Sequence, residues 1–373
     1  MSFPKTITFS GELLLEMKKN ITLDALSALR KKADGQLSSP SINVTARKMR
    51  APTGNIHDYA SIGSYWWPNP DTADGLPYVR RDGEITPLAK DDMTHRLMAR
   101  KVLELTLAAF YLDDEKYARG AVKALYDWHL NPETYMTPHA EYAQSIPGIC
   151  TGRGIGIIDF AYSYQIFDSV AILEWLGFID EDTVAGLKKW YSDFTDWMLT
   201  SENGLTEDTE PNNHGTFFDV QILAMAIFTG REALIKKICT TAYERRFRSQ
   251  IEPDGKMPLE LARTMAMHYS LCNIRGYCMI ANMAEREGYD EFVLPDKDRG
   301  VCLLRSAIDY IYPFVIKPET FHYAESFNDE VFPTIPDLML LALTFAEAHF
   351  EDGGYAEKIK ALTDTSNILR PGK

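Results

Sequence analysis

The sequence predicts an all-α protein that forms a single α/α toroid, an incomplete barrel of about six or seven helical hairpins. Apolar residues recur at helical spacing over long segments, and consecutive segments are joined by short polar turns. The sequence shows no convincing alternation of apolar and polar residues, so we expect no strands. It also lacks the fixed-period similarity of an armadillo-like solenoid, which is the alternative architecture. We therefore expect residues 1–373 to form one catalytic domain.

Six pairs of segments account for the predicted hairpins. In chain order they are 11–19 with 23–33, 88–112 with 115–130, 159–176 with 182–199, 215–228 with 232–247, 264–286 with 300–312, and 336–350 with 355–362. The first pair has the weakest pattern. Inner helices of a toroid are apolar nearly all round and outer ones are amphipathic. We expect 215–228 to be an inner helix and 232–247 an outer one.

Two long stretches without helical periodicity interrupt the hairpins, residues 35–87 and residues 131–155. Both are rich in proline, glycine and aromatic residues. Unstructured segments of this length inside a compact domain are usually functional loops. We expect them to be ordered loops over one mouth of the toroid.

Composition limits the classes of partner. The chain is 45% hydrophobic and 25% charged, which is ordinary for a globular protein, and its net charge of −14 argues against a nucleic-acid partner. No apolar run has the length of a membrane span. The five cysteines include no CxxC pair, so we interpret them as buried thiols. The protein is periplasmic or secreted if a signal peptide has been removed, and cytoplasmic if Met1 is the native start.

The most informative stretch is Asn212-Asn213-His214-Gly215, which follows the turn 208–211 where a helix is about to start. Further along the chain, Arg263 precedes the pair His268-Tyr269. A histidine, a tyrosine, an arginine and amide side chains can remove a proton from the carbon beside a carboxylate and expel the neighbouring sugar oxygen. This set indicates a lyase that acts on an acidic polysaccharide or oligosaccharide, with no metal ion or cofactor.

Each group has a candidate role in that reaction. Asn213, Gln144 and Arg263 can neutralise the substrate carboxylate, and His214 and Tyr269 can serve as base and acid. A tyrosine has an ordinary pKa of about 10, so it becomes a base near neutral pH only where a cation stabilises the phenolate. Arg263 can supply that cation. Six helical residues would leave Arg263 and Tyr269 on faces roughly 120° apart, so we expect Arg263 to lie just before the helix.

Each of these residues also has a simpler structural interpretation. A histidine at a helix start more often satisfies backbone or buried polar groups, and a tyrosine at helical spacing usually packs in the core with its hydroxyl satisfied.

A second group indicates where sugar binds. Tyr65-Trp66-Trp67, beside prolines, offers a rigid aromatic platform for sugar rings, and Arg80 and Arg153 favour an acidic ligand. Alternatively, the two tryptophans plug the end of the toroid. The glycine-rich stretch 142–156 allows a sugar chain to approach Gln144 and Arg153 closely. Its glycines match a GxGxxG loop only loosely and follow no strand, so a nucleotide site is not predicted.

Taken together, four separated motifs resemble the alginate lyase superfamily of α/α toroids, and most closely polysaccharide lyase family 38, whose members cleave alginate or glucuronan. The motifs are Tyr65-Trp66-Trp67-Pro68, the run 74–83, Gln144-Ser145-Ile146-Pro147-Gly148 and Asn212-Asn213-His214-Gly215. The resemblance covers roughly residues 40–345.

The resemblance implies roles for individual residues. It implies Tyr269 as the catalytic acid and, for some substrates, also the base, with His214 as the base or the group poised opposite. It places Asn213 and Gln144 near the substrate carboxylate and has Arg263 supporting the tyrosine. We add Asn212 and His268 to the substrate-binding residues.

Two other functional classes remain open at this point. An α/α-toroid glycoside hydrolase would need two carboxylic acids that flank the scissile bond, and the candidates are Asp159, Glu207, Asp208, Glu325 and Asp329. A helical scaffold or a sugar-binding protein without catalysis is the third possibility. Asp71 and Asp74 faintly suggest a calcium loop, but the later ligands are missing, and a turn is the better interpretation.

Overall fold

The computed structural model describes residues 3–91, 94–325 and 334–366. Met1 and Asp329, named above, lie outside these ranges. The described residues form α-helices joined by short turns, as predicted. In chain order the helices are α1 (Gly11–Asn20), α2 (Leu23–Ser38), α3 (His95–Leu112), α4 (Glu115–His129), α5 (Ser163–Leu176), α6 (Glu181–Thr200), α7 (Glu202–Asp208), α8 (Asn213–Thr229), α9 (Glu232–Ala242), α10 (Pro258–Leu261), α11 (Ala266–Arg286), α12 (Leu303–Ile316), α13 (Ile335–His349) and α14 (Tyr355–Ser366).

Several helix boundaries differ from the prediction for local reasons. Helix α2 runs to Ser38, so the expected first loop begins inside it. Helix α3 begins at His95 rather than at residue 88, because the side chain of Thr94 accepts a hydrogen bond from the N–H of Leu97 and caps the helix there. Helix α5 begins at Ser163 because residues 154–160 form a 3-10 helix before it. The short helix α7 has no counterpart in the prediction.

The expectation that strands are absent is wrong. In the part of the chain that the structure describes, four short strands occur, all within the two long non-helical stretches: β1 (Ala60–Ile62), β2 (Trp66–Trp67), β3 (Val79–Arg80) and β4 (Tyr142–Ser145). Strand β1 pairs in parallel with β4, and β2 pairs in antiparallel with β3. Segments of two to four residues are too short for an alternating pattern to show in the sequence. The pairing nevertheless orders both stretches.

The chain divides into two compact units. Unit 1 consists of Met1–Asp208 and Gln221–Ile235, and unit 2 consists of Thr209–Val220 and Lys236–Lys373. Helix α8 therefore contributes residues to both. The largest buried side chains of unit 1 include Trp128, Tyr191 and Phe194, and those of unit 2 include Tyr277. The single catalytic domain stays a prediction, as does the position of the long loops over one mouth.

Burial along α8 and α9 agrees with the predicted difference between inner and outer helices. Every residue of α8 from Gly215 to Ala226 is buried, whereas α9 buries only Ile235, Ile238, Cys239 and Ala242. All five cysteines are free thiols. The expectation that all are buried is wrong for Cys150, Cys272 and Cys302, which are half-buried.

Unit 1 also buries two histidines around one tyrosine. Nε2 of His129 lies 3.0 Å from the Tyr191 hydroxyl and its Nδ1 lies 2.8 Å from the Leu125 carbonyl oxygen. Nε2 of His95 lies 3.4 Å from the same hydroxyl. Burial lowers the pKa of His129 to about 4 and the pKa of His95 well below its ordinary value. Both imidazoles are therefore neutral near pH 7.

We predict that the stability of unit 1 falls on acidification because His129 is buried in its neutral form. Its folded pKa lies below its unfolded pKa, so the unfolded chain binds more protons as the pH falls from about 6.5 towards 4. The stabilisation is fully present above the unfolded pKa. By linkage, His129 alone should lower the free energy of unfolding by about 2 kcal/mol between pH 7.5 and pH 5.

The measurement is urea denaturation of the wild type and of His129→Gln at both pH values, followed by tryptophan fluorescence. All six tryptophans lie in unit 1, so this signal reports that unit. The variant should show a pH dependence smaller by about 2 kcal/mol. Equal pH dependences in the two proteins would contradict the assignment.

Candidate active site

The Asn212-Asn213-His214-Gly215 motif forms the first turn of α8. The side-chain oxygen of Asn212 accepts a hydrogen bond from the N–H of His214 at 2.9 Å, which satisfies one of the free N–H groups at the helix start. Gly215 is required by space, because a Cβ atom there would lie 2.1 Å from the carbonyl oxygen of Glu210. The motif is therefore a helix start that holds Asn213 and His214 in a fixed turn.

A buried carboxylate holds Asn213. The backbone N–H of Asn213 donates to Oε1 of Glu260 at 2.7 Å, and its side-chain nitrogen lies 3.1 and 2.9 Å from the two carboxylate oxygens. Glu260 is 1% exposed and Asn213 is 5% exposed. Burial raises the pKa of Glu260, and the hydrogen bonds from Asn213 and the charges of Arg263 and His214 oppose that shift. Glu260 thus lies within electrostatic reach of three predicted catalytic residues.

Arg263 and Tyr269 are in direct contact. As predicted, Arg263 lies before helix α11, in the connection that follows α10, and its N–H donates to the carbonyl oxygen of Glu260 at 3.1 Å. Its guanidinium carbon lies 3.8 Å from the centroid of the Tyr269 ring. A cation over an aromatic face stabilises negative charge that develops on that ring.

A second carboxylate fixes the start of α11. Oε2 of Glu325 accepts the N–H of Met267 at 2.7 Å, and the carbonyl oxygen of Ala324 accepts the N–H of Ala266 at 3.0 Å. Burial raises the pKa of Glu325, and the N–H groups of Met267 and His268 oppose that shift. Because a carboxylate at a helix N-terminus is favourable, Glu325 sets the position of the first turn of α11.

That turn carries the pair His268-Tyr269. The two rings lie edge to face with their centroids 5.8 Å apart. Nε2 of His268 lies 3.4 Å from the sulfur of Cys272, one turn further along the helix. Both side chains are half-buried, so they combine a fixed position with access for a ligand.

In unit 1, Gln144 and Arg153 belong to one hydrogen-bonded group. Gln144 has a φ of 48°, which is unusual for a residue other than glycine. Arg153 donates to its backbone oxygen and to its side-chain oxygen, both at 3.0 Å, and Gln144 donates to Asp159 at 3.1 Å. Burial lowers the pKa of Arg153, and the nearby charge of Arg80 acts in the same direction.

The aromatic residues of unit 1 lie beside arginines. Strand β2 places Trp66 opposite Arg80 on β3. The guanidinium carbon of Arg153 lies 5.9 Å from the Trp66 ring, and that of Arg81 lies 5.0 Å from the Trp67 ring. The exposed Arg80 pairs with Asp82 at 2.7 Å. Tyr65 precedes this hairpin, and its carbonyl oxygen accepts the N–H of Arg81.

The structure thus sorts the predicted site residues into two groups. Unit 2 contains Asn212, Asn213, His214, Arg263, His268 and Tyr269, and unit 1 contains Tyr65, Trp66, Trp67, Arg80, Gln144 and Arg153. The sequence did not indicate that Glu260 holds the site, and Glu325 was predicted only as a candidate acid of a hydrolase. No sequence pattern marks either residue, because each acts through the backbone or amide of a residue distant in the chain.

The carboxylates proposed for a hydrolase have structural partners. Asp159 accepts hydrogen bonds from the hydroxyls of Tyr59 at 2.9 Å and Ser61 at 2.7 Å, besides the bond from Gln144. Glu325 binds the backbone of α11. Asp74 accepts the N–H of Leu76 at 3.1 Å and forms the turn that was predicted in place of a calcium loop.

Among the residues that the structure describes, no three or more His, Cys, Asp or Glu side chains are grouped so that they could hold a metal ion. None of the described helices is both long enough and apolar enough to cross a membrane.

The chain resembles proteins of known family. The family model described as Alginate lyase matches residues 43–321. A crystal structure of an alginate lyase from Bacteroides ovatus is 32% identical, with a TM-score of 0.89, and the match covers 97% of this chain and 95% of that one. A comparison with curated proteins gave no match.

More distant structures share the fold. Alginate lyase A1-III from Sphingomonas species A1 is 14% identical, with a TM-score of 0.55 and coverage of 89% of this chain and 88% of that one. A histidine-to-alanine variant of alginate lyase A1-III, complexed with a tetrasaccharide, is 15% identical, with a TM-score of 0.56 and coverage of 88% and 87%. The α/α-toroid fold class predicted from the sequence is therefore confirmed.

Proposed function

Since this chain belongs to the alginate lyase family and is a polysaccharide lyase, we propose that it cleaves a uronate polymer, alginate or glucuronan, by metal-independent β-elimination. The observation that carries the proposal is the Arg263 guanidinium at 3.8 Å from the Tyr269 ring, in the same unit as Asn213 and His214. The placement in polysaccharide lyase family 38 is part of the proposal.

The reaction breaks two bonds and forms one double bond. A base removes the proton from C5 of the uronate, the electron pair forms the C4–C5 double bond, and the C4–O4 bond breaks. The proton delivered to O4 completes the leaving sugar. The product carries a 4,5-unsaturated uronate at its new non-reducing end. In this scheme Tyr269 protonates O4, and Arg263 stabilises the phenolate that remains.

Charge must also be stabilised at the substrate carboxylate, because negative charge spreads into it when the C5 proton leaves. We assign Asn213 and Arg263 of unit 2 to that carboxylate, and we assign Gln144 of unit 1 to substrate binding. Gln144 donates one hydrogen to Asp159, and its amide nitrogen carries a second hydrogen that can reach a ligand. These fixed donors take the role that a metal ion has in other lyases.

The remaining predicted residues bind the polymer. A net charge of −14 repels an anionic chain at long range, so local cations must attract it. Arg80 is opposite Trp66 in the β2–β3 pairing, and the guanidinium of Arg153 lies near the Trp66 ring. Tryptophan rings offer flat surfaces to the C–H faces of sugars. We assign Tyr65, Asn212 and His268 to substrate binding with them.

We predict that Tyr269→Phe lowers the rate of cleavage by about 10²- to 10⁴-fold while the fold is kept, because only the proton-donating hydroxyl is lost. The assay is the ultraviolet absorbance of the unsaturated product formed from alginate, glucuronan and a neutral glycan. Tyr312→Phe is the matched control, since Tyr312 is a half-buried tyrosine of unit 2 that contacts Lys358. Near-normal activity of Tyr269→Phe would remove Tyr269 from its role, and a wild type inactive on both uronate polymers would refute the proposed function.

A second prediction concerns His214 and the stereochemistry of the substrate. Proton removal and O4 protonation occur on the same face in mannuronate, where one tyrosine can perform both. They occur on opposite faces in guluronate, which is inverted at C5, and there a second group is required. His214→Ala should therefore reduce kcat/KM on guluronate blocks about tenfold more than on mannuronate blocks. Equal proportional losses on the two substrate classes would exclude this division of roles.

A third prediction tests the binding group of unit 1. Arg153→Lys keeps the charge but loses the two hydrogen bonds that hold Gln144, so KM for the polymer should rise by about tenfold with a smaller change in kcat. Arg100→Lys is the control, because Arg100 is an arginine of unit 1 that pairs with Glu104 one turn away in α3 and is not a proposed site residue. An unchanged KM in Arg153→Lys would show that this group does not bind substrate.

A further inference from the structure

We infer that Glu260 is a positioning residue which fixes the amide of Asn213, so that Asn213 presents its remaining polar atoms to the bound sugar in one direction. The inference rests on the proposed function, because it takes Asn213 to contact the substrate. It adds a role for a residue that lies one position before the Leu261-Ala262-Arg263 stretch and was not among the predicted site residues.

The orientation of the amide follows from the donors and acceptors. The three hydrogen bonds between Asn213 and Glu260 all use N–H groups of Asn213 as donors. Both carboxyl oxygens of Glu260 act as acceptors in these contacts and in the one from Asn273, so the amide oxygen of Asn213 would face acceptors if the side chain were turned round. The side-chain nitrogen lies 2.9 and 3.1 Å from the two oxygens of Glu260. The opposite end of the amide is its carbonyl oxygen.

Burial makes this orientation rigid. Glu260 is 1% exposed, and Asn273, which is 0% exposed, donates to it from the other side at 3.3 Å. Asn273 in turn donates to Gln250 at 2.9 Å and to the hydroxyl of Tyr277 at 3.1 Å. Hydrogen bonds in such a low-dielectric environment are strong, and an unpaired group there is costly. Turning the Asn213 amide would break bonds that water cannot replace.

Glu260 also connects both halves of the proposed catalytic group. Its side chain holds Asn213 at the start of α8, and its backbone carbonyl oxygen accepts the N–H of Arg263. A carboxylate that faces the first N–H of α8 is favoured by the helix dipole as well. One residue therefore sets the position of Asn213 relative to Arg263, which contacts Tyr269.

The chemical consequence is a fixed direction for the polar atoms of Asn213. One hydrogen of its NH₂ group can satisfy both oxygens of Glu260, so the amide keeps a second hydrogen and its carbonyl oxygen to offer to the sugar. Polar groups held in one direction favour a sugar whose own groups match them and disfavour one that leaves a buried group unpaired.

The test is a double-mutant cycle between Glu260→Gln and Asn213→Ala, with kcat/KM measured on the better of alginate and glucuronan. Glu260→Gln keeps the size but turns one acceptor into a donor that opposes the amide nitrogen of Asn213. We expect a loss of about 10- to 100-fold in the wild-type background and of less than about twofold in the Asn213→Ala background. The same fold-loss in both backgrounds would overturn the inference.

Asp296→Asn is the matched control for loss of a buried carboxylate. Asp296 is 4% exposed in unit 2 and accepts hydrogen bonds from Tyr243 and from the N–H groups of Asp298 and Arg299, none of which is a proposed site residue. The Asp296→Asn variant should have a lower melting temperature than the wild type and keep kcat/KM within about twofold of the wild-type value. A loss of activity in Asp296→Asn as large as that in Glu260→Gln would show a general effect of stability and would overturn the inference.

A measurement that does not depend on enzyme activity, the hydrogen exchange of the Asn213 side chain, distinguishes this inference from the proposed function. In protein labelled with ¹⁵N-asparagine, the side-chain NH₂ signal of Asn213 is identified by its loss in Asn213→Ala. We expect slow hydrogen exchange of that NH₂ group in the wild type, and fast exchange in Glu260→Gln. Fast exchange in the wild type would overturn the inference even if Glu260→Gln fails to fold. A wild type inactive on both polymers but with a protected Asn213 amide would refute only the proposed function.

Discussion

The candidate active site depends on the buried carboxylate of Glu260. A charge removed from water must be satisfied by hydrogen bonds, and Glu260 finds them in Asn213 and Asn273. These partners belong to α8 and α11, so the carboxyl group of Glu260 keeps its hydrogen bonds only while the two helices keep their relative position. The same residue accepts the N–H of Arg263 through its backbone. The contacts that bury Glu260 thereby also set the spacing between Asn213 and Arg263, which are both proposed to act on the sugar.

The helices were predicted well from the sequence, because an apolar pattern that repeats over fifteen or more residues stays recognisable when single positions depart from it. Sequence reasoning placed α8 within two residues of its observed start and placed Arg263 before α11. It failed where order comes from contacts between distant residues. Strands β1 and β4 pair across 79 intervening residues, and the short helix α7 has no periodic signal. Glu260 and Glu325 look like ordinary glutamates in the sequence, since only folding buries them against backbone N–H groups.

The long non-helical stretches show how unit 1 orders segments without helical hydrogen bonds. Asp159 collects the hydroxyls of Tyr59 and Ser61 and the amide of Gln144, so one carboxylate connects three points of these stretches. Gln144 has its backbone in the left-handed region, which costs free energy in any residue with a side chain. The bonds from Arg153 and to Asp159 offset that cost. Strain held in this way at a residue proposed to bind substrate fits a preorganised binding surface.

A protein of net charge −14 binds a polyanion only if some of its cations keep their charge uncompensated. Arg80 is compensated by Asp82, so its attraction for a distant anion is weak. Arg153 instead donates to the neutral oxygens of Gln144, and these bonds leave its charge intact. Burial lowers its pKa, but a guanidinium stays charged at neutral pH even after a substantial shift. The charges of Asp159 and Glu207 also act on Arg153, but its hydrogen bonds go to neutral oxygens, which fix the guanidinium in place without forming an ion pair.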